Sequence, residues 1–321
     1  MTGLMRSDTA MIPVTYFPVA TQHQFAKNRE LIQGKSYEHY FNGELWLHDD
    51  VLPALRQPMD PADAIRPNPE GLNSLLDPGY HAVENGYCEL PDGTGYVASR
   101  IPFPGCTGEM LHWWYWWCAV EPPRFTLWYP YNHIAIEPAD RSVLTRPGLT
   151  DAQRHIGTTQ YVDQYMGPKL TRAALHYLDP TQLGFDTSRF AEAGIDGHSC
   201  SRGRLRQPPI EAVTIVHLAR RTNDGFELRS RYWFGHEIRL RAFGRSVPLD
   251  GLAAKLDIRR RVGGGRAAYE QLHHHLVEFT HLSTFLASIH REFCANHGPI
   301  FRTNRPPIAA AAQVPSPARR R

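Results

Sequence analysis

The chain of 321 residues has few cysteines, and none of them stand at a spacing typical of a metal or redox site. Cys88, Cys106, Cys118, Cys200 and Cys294 are far apart, so there is no CxxC motif. A sulfur-ligated zinc site or a dithiol redox centre is therefore disfavoured. An odd number of separated cysteines predicts free thiols in a reducing compartment. We accordingly expect a cytoplasmic protein.

Long apolar runs and a strong excess of one charge are also missing. The longest apolar cluster, 113–120, is much too short to cross a bilayer, and the N-terminus does not resemble a secretory signal. The formal net charge is only +3, and the basic run at 259–261 has no interleaved aromatic residues. We therefore expect neither membrane nor nucleic-acid binding. The absence of a GxSxG elbow disfavours a serine hydrolase.

The composition changes along the chain in a way that predicts an α+β fold. Residues 1–95 are rich in proline, asparagine and glycine, which indicates an irregular, partly helical N-terminal region with a helical piece at 44–55. Segments 124–129 and 211–218 have the residue content of strands. The clearest predicted helix is 266–293, with a buried stripe at Leu272, Leu276, Phe279, Leu282, Leu286, Ile289 and Phe293. We expect a curved antiparallel sheet around this helix within 96–302, a cavity between them, and a disordered tail at 303–321.

A β-hairpin is predicted within 211–234. Two strand-like runs flank Thr222-Asn223-Asp224-Gly225, and Asp-Gly is a strong signal for a two-residue turn. If Asp224 and Gly225 form the loop, His217 lies directly opposite Tyr232. Such a pair could hydrogen-bond a phenolic oxygen, or it could be a packing pair.

Other candidate residues also have two readings on sequence alone. His274 and Glu278 stand four apart on the predicted helix, so they could share one metal ion or form a surface pair, the commoner outcome. His133 ends an aromatic segment and could be a ligand or a core residue. The aromatic run at 113–117 predicts a strand whose large side chains fill the core, with some of them walling a pocket for a planar ring.

Five segments in this order resemble the 2,4-diacetylphloroglucinol hydrolase family, which includes phloretin hydrolases. They are Pro104-Gly105 through the run at 113–117, Trp128-Tyr129-Pro130-Tyr131-Asn132-His133, Val162-Asp163-Gln164-Tyr165-Met166-Gly167, Leu228-Arg229-Ser230-Arg231-Tyr232-Trp233, and His274 with Glu278. The resemblance implies a Bet v 1-like helix-grip domain with a smaller N-terminal part. It also implies one zinc ion per chain.

The resemblance implies the ligand set His133, Gln164, His274 and Glu278. Gln164 stands where the family has a glutamate. An uncharged amide would bind zinc more weakly and leave it a stronger Lewis acid.

The implied reaction is hydrolysis of the carbon–carbon bond between an acyl group and a polyphenol ring. The ring carbon takes a proton, water attacks the acyl carbonyl, and the ring leaves as an enolate. Zinc would lower the pKa of water toward about 7 and polarise the carbonyl. The expected catalytic residues are His217, Tyr232 and Glu278. The expected substrate-binding residues are Trp114, Trp116, Phe125, Trp128, His217 and Tyr232, with Phe125 in place of a tyrosine.

Two other functions remain open from the sequence. Gln164 and Phe125 both remove polar groups from expected positions, which favours a cyclase or aldolase-like enzyme of aromatic polyketide metabolism with a weak metal or none. A protein that only sequesters an aromatic ligand is the third possibility. The oligomeric state is also open, a homodimer included.

Overall fold

The computed structural model describes residues 10–242, 245–251 and 258–294. Its strands are β1 (Met11–Pro13), β2 (Trp46–His48), β3 (Gly86–Glu89), β4 (Gly95–Pro104), β5 (His133–Pro138), β6 (Thr159–Met166), β7 (Lys169–Leu178), β8 (Ile195–Leu205), β9 (Ile210–Arg221), β10 (Gly225–Ala242) and β11 (Arg245–Pro248). Its α-helices are α1 (Val19–Ile32), α2 (Leu52–Arg56), α3 (Pro69–Asn73), α4 (Gly108–Val120), α5 (Ser142–Thr145), α6 (Ile258–Gly263) and α7 (Gly265–Cys294). The predicted tail at 303–321 lies outside the described residues.

A large antiparallel sheet is the centre of the fold. Its strands follow the order β3-β4-β10-β9-β8-β7-β6-β5, with β11 paired to β10, while β1 and β2 form a separate small sheet. The long helix α7 contacts β3, β4 and β10 and also reaches β6. The predicted combination of an antiparallel sheet and a long C-terminal helix is confirmed, and α7 begins and ends within one residue of the predicted bounds.

The face of the sheet toward α7 holds the main hydrophobic core. Six of the seven residues predicted as the buried stripe of α7 are buried, and Phe293 is partly buried. Helix α4 packs against α7 and β8 and is buried around its whole circumference from Leu111 to Ala119. The prediction of a strand at 113–117 is therefore wrong. A continuous apolar run has no period that separates a strand from a helix, and a helix that is apolar on every side is a buried one.

The segment 124–129 is also not a strand. Residues Pro122–Leu127 form a 3-10 helix. Pro122 and Pro123 occupy its first positions, where a fixed φ favours a helical turn and the missing N–H groups cost nothing. The helical piece expected at 44–55 is only partly correct, because β2 occupies its beginning and α2 its end.

The predicted hairpin exists, but its turn lies one position earlier. Thr222 N donates to Gly225 O, so Asn223 and Asp224 are the two loop residues, and His217 pairs with Ser230 rather than with Tyr232. Gly225 begins β10 and pairs with Pro104 of β4, and only glycine fits there because a Cβ would lie 2.2 Å from Phe103 O. The partner of His217 shifts by two residues, which keeps Tyr232 on the same face of the sheet.

The later part of the N-terminal region covers the opposite face of the sheet, whereas Ile32 and Leu47 of the same region belong to the main core. Leu72, Leu75 and Leu76 pack there in a second core with residues such as Trp233 and Val216. Within this face Glu84 pairs with Arg229 and Arg231 at 2.5 and 2.7 Å, and all three side chains are at most 9% exposed. Strand β3 precedes position 95 yet belongs to the main sheet, and the division of the chain at 95 stays a prediction.

No helix among residues 10–242, 245–251 and 258–294 is long and apolar enough to span a membrane.

Candidate active site

A cavity of about 390 Å³ lies between the sheet and α7. Strands β5 to β10 and α7 form most of its wall, and α4 and the 3-10 turn at Pro122–Leu127 contribute Tyr115 and Phe125. The volume lies in the range typical of small-molecule sites. The lining combines aromatic rings with a few polar groups at one place, which is the usual composition of such a site.

The structure brings together three residues predicted as metal ligands. His133 begins β5, and His274 and Glu278 lie one turn apart on α7. A ring nitrogen from each histidine and a carboxylate oxygen all lie within 4.8 Å of one another. His133 Nε2 and His274 Nε2 are 3.2 Å and 3.5 Å from Glu278 Oε2. Two imidazoles and a carboxylate at such distances could hold one divalent metal ion.

A main-chain carbonyl orients the imidazole of His133. His133 Nδ1 lies 3.1 Å from Phe125 O, and the Phe125 ring stacks on the imidazole with centroids 3.8 Å apart. A carbonyl oxygen only accepts hydrogen bonds, so Nδ1 carries the proton and the lone pair of Nε2 faces Glu278. Metal-binding histidines commonly have this arrangement.

The charge of Glu278 also fits a bound cation. Burial raises its pKa, but His274 and His133 lower it by more, so the pKa stays below its ordinary value and the carboxylate is ionised. Its ion-pair contacts among the described residues are all with histidines. Among the described residues His274 Nδ1 makes no hydrogen bond, and His274 Nε2 has only the long 3.5 Å contact with Glu278. Unsatisfied nitrogens beside a buried carboxylate are costly unless a cation compensates them.

Gln164 is a strand neighbour of His133, and its role as a metal ligand stays a prediction. It pairs with His133 across β5 and β6, next to a β-bulge between His133 and Ala135, and it lines the cavity. A bulge re-aims side chains at a strand edge. Gln164 Nε2 lies 3.4 Å from Met166 Sδ, to which it donates. The amide oxygen is thus the atom that Gln164 could offer to a cation.

His217 and Tyr232 meet in the cavity together with His275, which the sequence analysis did not single out. Tyr232 Oη is 2.7 Å from His275 Nδ1 and 3.5 Å from His217 Nε2. His217 Nδ1 is 2.7 Å from Ser230 Oγ. All of these side chains are buried. Consecutive residues on a helix point about 100° apart, so His274 and His275 serve two different groups.

The aromatic residues predicted to bind substrate divide into two sets. Phe125 and Trp128 line the cavity, whereas Trp114 and Trp116 do not. Trp114 packs against Trp128 and Phe285, and Trp116 Nε1 donates to Asp151. Contrary to the prediction that they bind substrate, Trp114 and Trp116 lie in the packed core beside the cavity and do not line it. Because α4 is a helix, Tyr115 is the member of the run that faces the cavity, and a helical reading of the run would have been needed to find it.

An apolar cavity with a compact group of polar and ionisable side chains is typical of an enzyme active site. Residues 65–291 match the family model described as DAPG hydrolase PhiG domain. The chain is 33% identical to a 2,4-diacetylphloroglucinol hydrolase of Pseudomonas protegens over 290 residues, which cover 88% of this chain and 92% of that protein. The chain belongs to the DAPG hydrolase family, and the predicted membership is confirmed.

Two further likenesses are weaker. A phloretin hydrolase of Eubacterium ramulus is 27% identical over 208 residues, covering 64% of this chain and 71% of that protein. The crystal structure of Ara h 8.0201 aligns at 10% identity with a TM-score of 0.27, over 57% of this chain and 98% of that one. A likeness at that TM-score carries no argument about the fold.

Proposed function

We propose that this protein is a metal-dependent hydrolase that cleaves the carbon–carbon bond between an acyl group and a polyphenol ring. The observation that carries the proposal is the convergence of His133, His274 and Glu278 at the wall of a cavity sized for a small aromatic molecule. The names of the related hydrolases support the choice of an acylphloroglucinol as the substrate. A helix-grip fold of the Bet v 1 type is part of the same proposal.

The proposed metal is zinc, held by His133, His274 and Glu278 with the amide oxygen of Gln164 as a further donor. Two imidazoles and one carboxylate suit zinc among the common metals. When bound, zinc lowers the pKa of water and polarises a carbonyl. The chain itself supplies orientation, because Phe125 O fixes the ring of His133.

His217 and Tyr232 are proposed to bind the phenolic oxygen and to deliver a proton to the acyl-bearing ring carbon. Burial lowers the pKa of His217 to about 4 and raises the pKa of Tyr232 well above its usual value. At neutral pH the imidazole is therefore neutral and the tyrosine keeps its proton, so Tyr232 can donate to an oxygen. His275 holds the hydroxyl of Tyr232 at 2.7 Å.

Glu278 is proposed to accept a proton from the attacking water. The water oxygen bonds to the acyl carbon, the carbon–carbon bond breaks, and the electron pair remains on the ring as a stabilised enolate. The products are a carboxylic acid and a ring with hydrogen at that carbon. Phe125 and Trp128 provide the apolar wall against which the ring lies.

The test is incubation of the purified, zinc-loaded protein with an acylphloroglucinol, with the released acid and ring measured by chromatography. His274→Ala should abolish the release. His273→Ala is the matched control, because it makes the same change on the neighbouring residue, outside the metal-ligand group. A protein that carries one zinc per chain and releases no acid would contradict the proposal.

The second candidate is a cyclase or aldolase-like enzyme that uses the same cavity without hydrolysis. The observation that favours it is the neutral Gln164 beside His133, together with the absence of a hydroxyl on Phe125. Gln164→Glu separates the two functions. If the wild type releases no acid and Gln164→Glu does, the second candidate is supported.

A further inference from the structure

A group of uncharged hydroxyls in the cavity has no role in the reaction proposed above. It consists of Tyr115 on α4, Tyr177 on β7, and Ser199 and Ser201 on β8, all of which line the cavity. We call these four residues the hydroxyl cluster. They are distant in the sequence from the metal-ligand residues and lie on different helices and strands.

The strand register places the hydroxyl cluster next to His217 and Tyr232, the pair proposed to bind the phenol. Ser199 pairs with His217, and Ser201 pairs with Ile215, which in turn pairs with Tyr232. Tyr177 pairs with Ser201 from the other side. Directly paired residues share a face of the sheet, so these side chains form two adjoining rows across β7 to β10. A ring held at His217 and Tyr232 therefore lies beside the hydroxyl cluster.

Close backbone packing holds Tyr115 over this part of the sheet. A Cβ on Gly108 would lie 2.4 Å from Gly197 N, and one on Gly197 would lie 2.5 Å from Gly108 Cα. Only glycine allows this approach of α4 to β8. Gln160 Nε2 also donates to Tyr115 O at 3.1 Å. The position of Tyr115 is thus fixed by the scaffold on both sides.

Two of these hydroxyls are buried with hydrogen-bonding capacity left over. Tyr115 Oη and Ser199 Oγ make no hydrogen bond of ordinary length and angle within the described residues, and the two side chains are 4% and 1% exposed. They are close enough for one long hydrogen bond to each other, which would still leave one O–H donor and acceptor lone pairs unused. A buried hydroxyl left without a partner is costly, so a ligand that supplies one is favoured.

The surroundings suit a neutral partner rather than an anion. The rings of His155 and Tyr115 are 5.2 Å apart, and His112 Nδ1 is 2.9 Å from His155 Nε2. Burial is the main cause that lowers the pKa of His155 well below its ordinary value and that of His112 to about 3. Both imidazoles are therefore neutral at pH 7 and bring no positive charge to the hydroxyl cluster.

We propose that Tyr115 and Ser199 bind a second ring hydroxyl of the substrate and so select polyhydroxylated rings. This inference rests on the proposed function for the identity of the ligand. A site with hydrogen-bonding groups that stay unpaired discriminates strongly against an analogue that lacks the hydroxyl. The binding step can be measured without hydrolysis.

The experiment is calorimetric titration of the full-length protein with resorcinol, which has two hydroxyls, and with phenol, which has one. The wild type should prefer resorcinol by about tenfold or more. Tyr115→Phe and Ser199→Ala should each reduce that preference to about twofold or less. Tyr37→Phe is the matched control, because Tyr37 is equally buried but lies outside the cavity, and it should keep the wild-type preference.

The outcomes separate this inference from the proposed function. Equal affinity of the wild type for the two compounds, no binding of resorcinol at millimolar concentration, or an unchanged preference in both variants would overturn the inference. A wild-type preference that disappears in the variants supports it, even if the protein releases no acid from an acylphloroglucinol. That last result would contradict only the proposed hydrolysis.

Discussion

Zinc should raise the thermal stability of this protein, and the substitution His274→Ala should remove most of that effect. His133 on β5 and His274 on α7 are 141 residues apart in the sequence, and folding brings them together at the site. The unfolded chain does not hold these side chains together. An ion that binds only the folded state stabilises it by mass action.

The magnitude follows from the number of ligands that the structure provides. At a zinc concentration of one hundred times the dissociation constant, the stabilisation is about 2.7 kcal/mol. Loss of one of the few ligands is expected to weaken binding by about a hundredfold or more. At the same zinc concentration the stabilisation then falls to about 0.4 kcal/mol. For a chain of this size these values correspond to shifts in Tm of about 4 °C and below about 1 °C.

The assay is scanning calorimetry of protein stripped with a chelator and then supplied with zinc. The quantity compared is the zinc-induced shift within each variant, so a general loss of stability from the substitution cancels. His273→Ala, also on α7, should keep the wild-type shift. Zinc bound by cysteines and histidines of the unfolded chain reduces the shift in every variant alike. The reasoning is refuted if His274→Ala retains the full shift, or if zinc does not stabilise the wild type.

Three further predictions concern single side chains. Gln164→Glu adds a charged oxygen beside His133 and should tighten zinc binding by about tenfold or more, measured by competition with a chromophoric chelator; unchanged affinity would show that residue 164 does not contact the ion. His275→Leu removes the partner of Tyr232 and should lower kcat about tenfold, and His275→Asn should restore part of it; equal kcat in both variants would contradict this role. Burial raises the pKa of Glu84, but Arg231 and Arg229 lower it more, to about 2 from an ordinary 4.5. Its contribution to the free energy of unfolding, about 3 kcal/mol, is therefore complete above about pH 4.5 and lost as the pH falls toward 2. Glu84→Gln should lose this stability at pH 7 and flatten the acid limb of a urea-unfolding series, and an unaltered acid limb would refute the assignment.

Local sequence patterns predicted the elements that have a clear period or turn. The stripe from Leu272 to Ile289 repeats at helical spacing, and α7 runs from Gly265 to Cys294, within one residue of the predicted 266–293. The hairpin at Thr222–Gly225 was predicted from its turn residues, but its register was not. Gly225 fits a turn equally well, and its pairing with Pro104 of β4 places it in the strand. The aromatic run of α4 has no period at all, so its helical state and the inward direction of Tyr115 were not predictable from the run.

By itself the sequence determined the family and the residue types at the candidate metal site, because both are properties of ordered motifs along the chain. It also determined that His274 and Glu278 share one face of a helix, since that follows from helical geometry alone. Only the tertiary structure decided that His133 reaches the same place, that His275 turns to Tyr232, and that Trp114 and Trp116 lie away from the cavity. These facts depend on how β5, α4 and α7 pack together, and packing joins residues whose separation in the sequence carries no local signal.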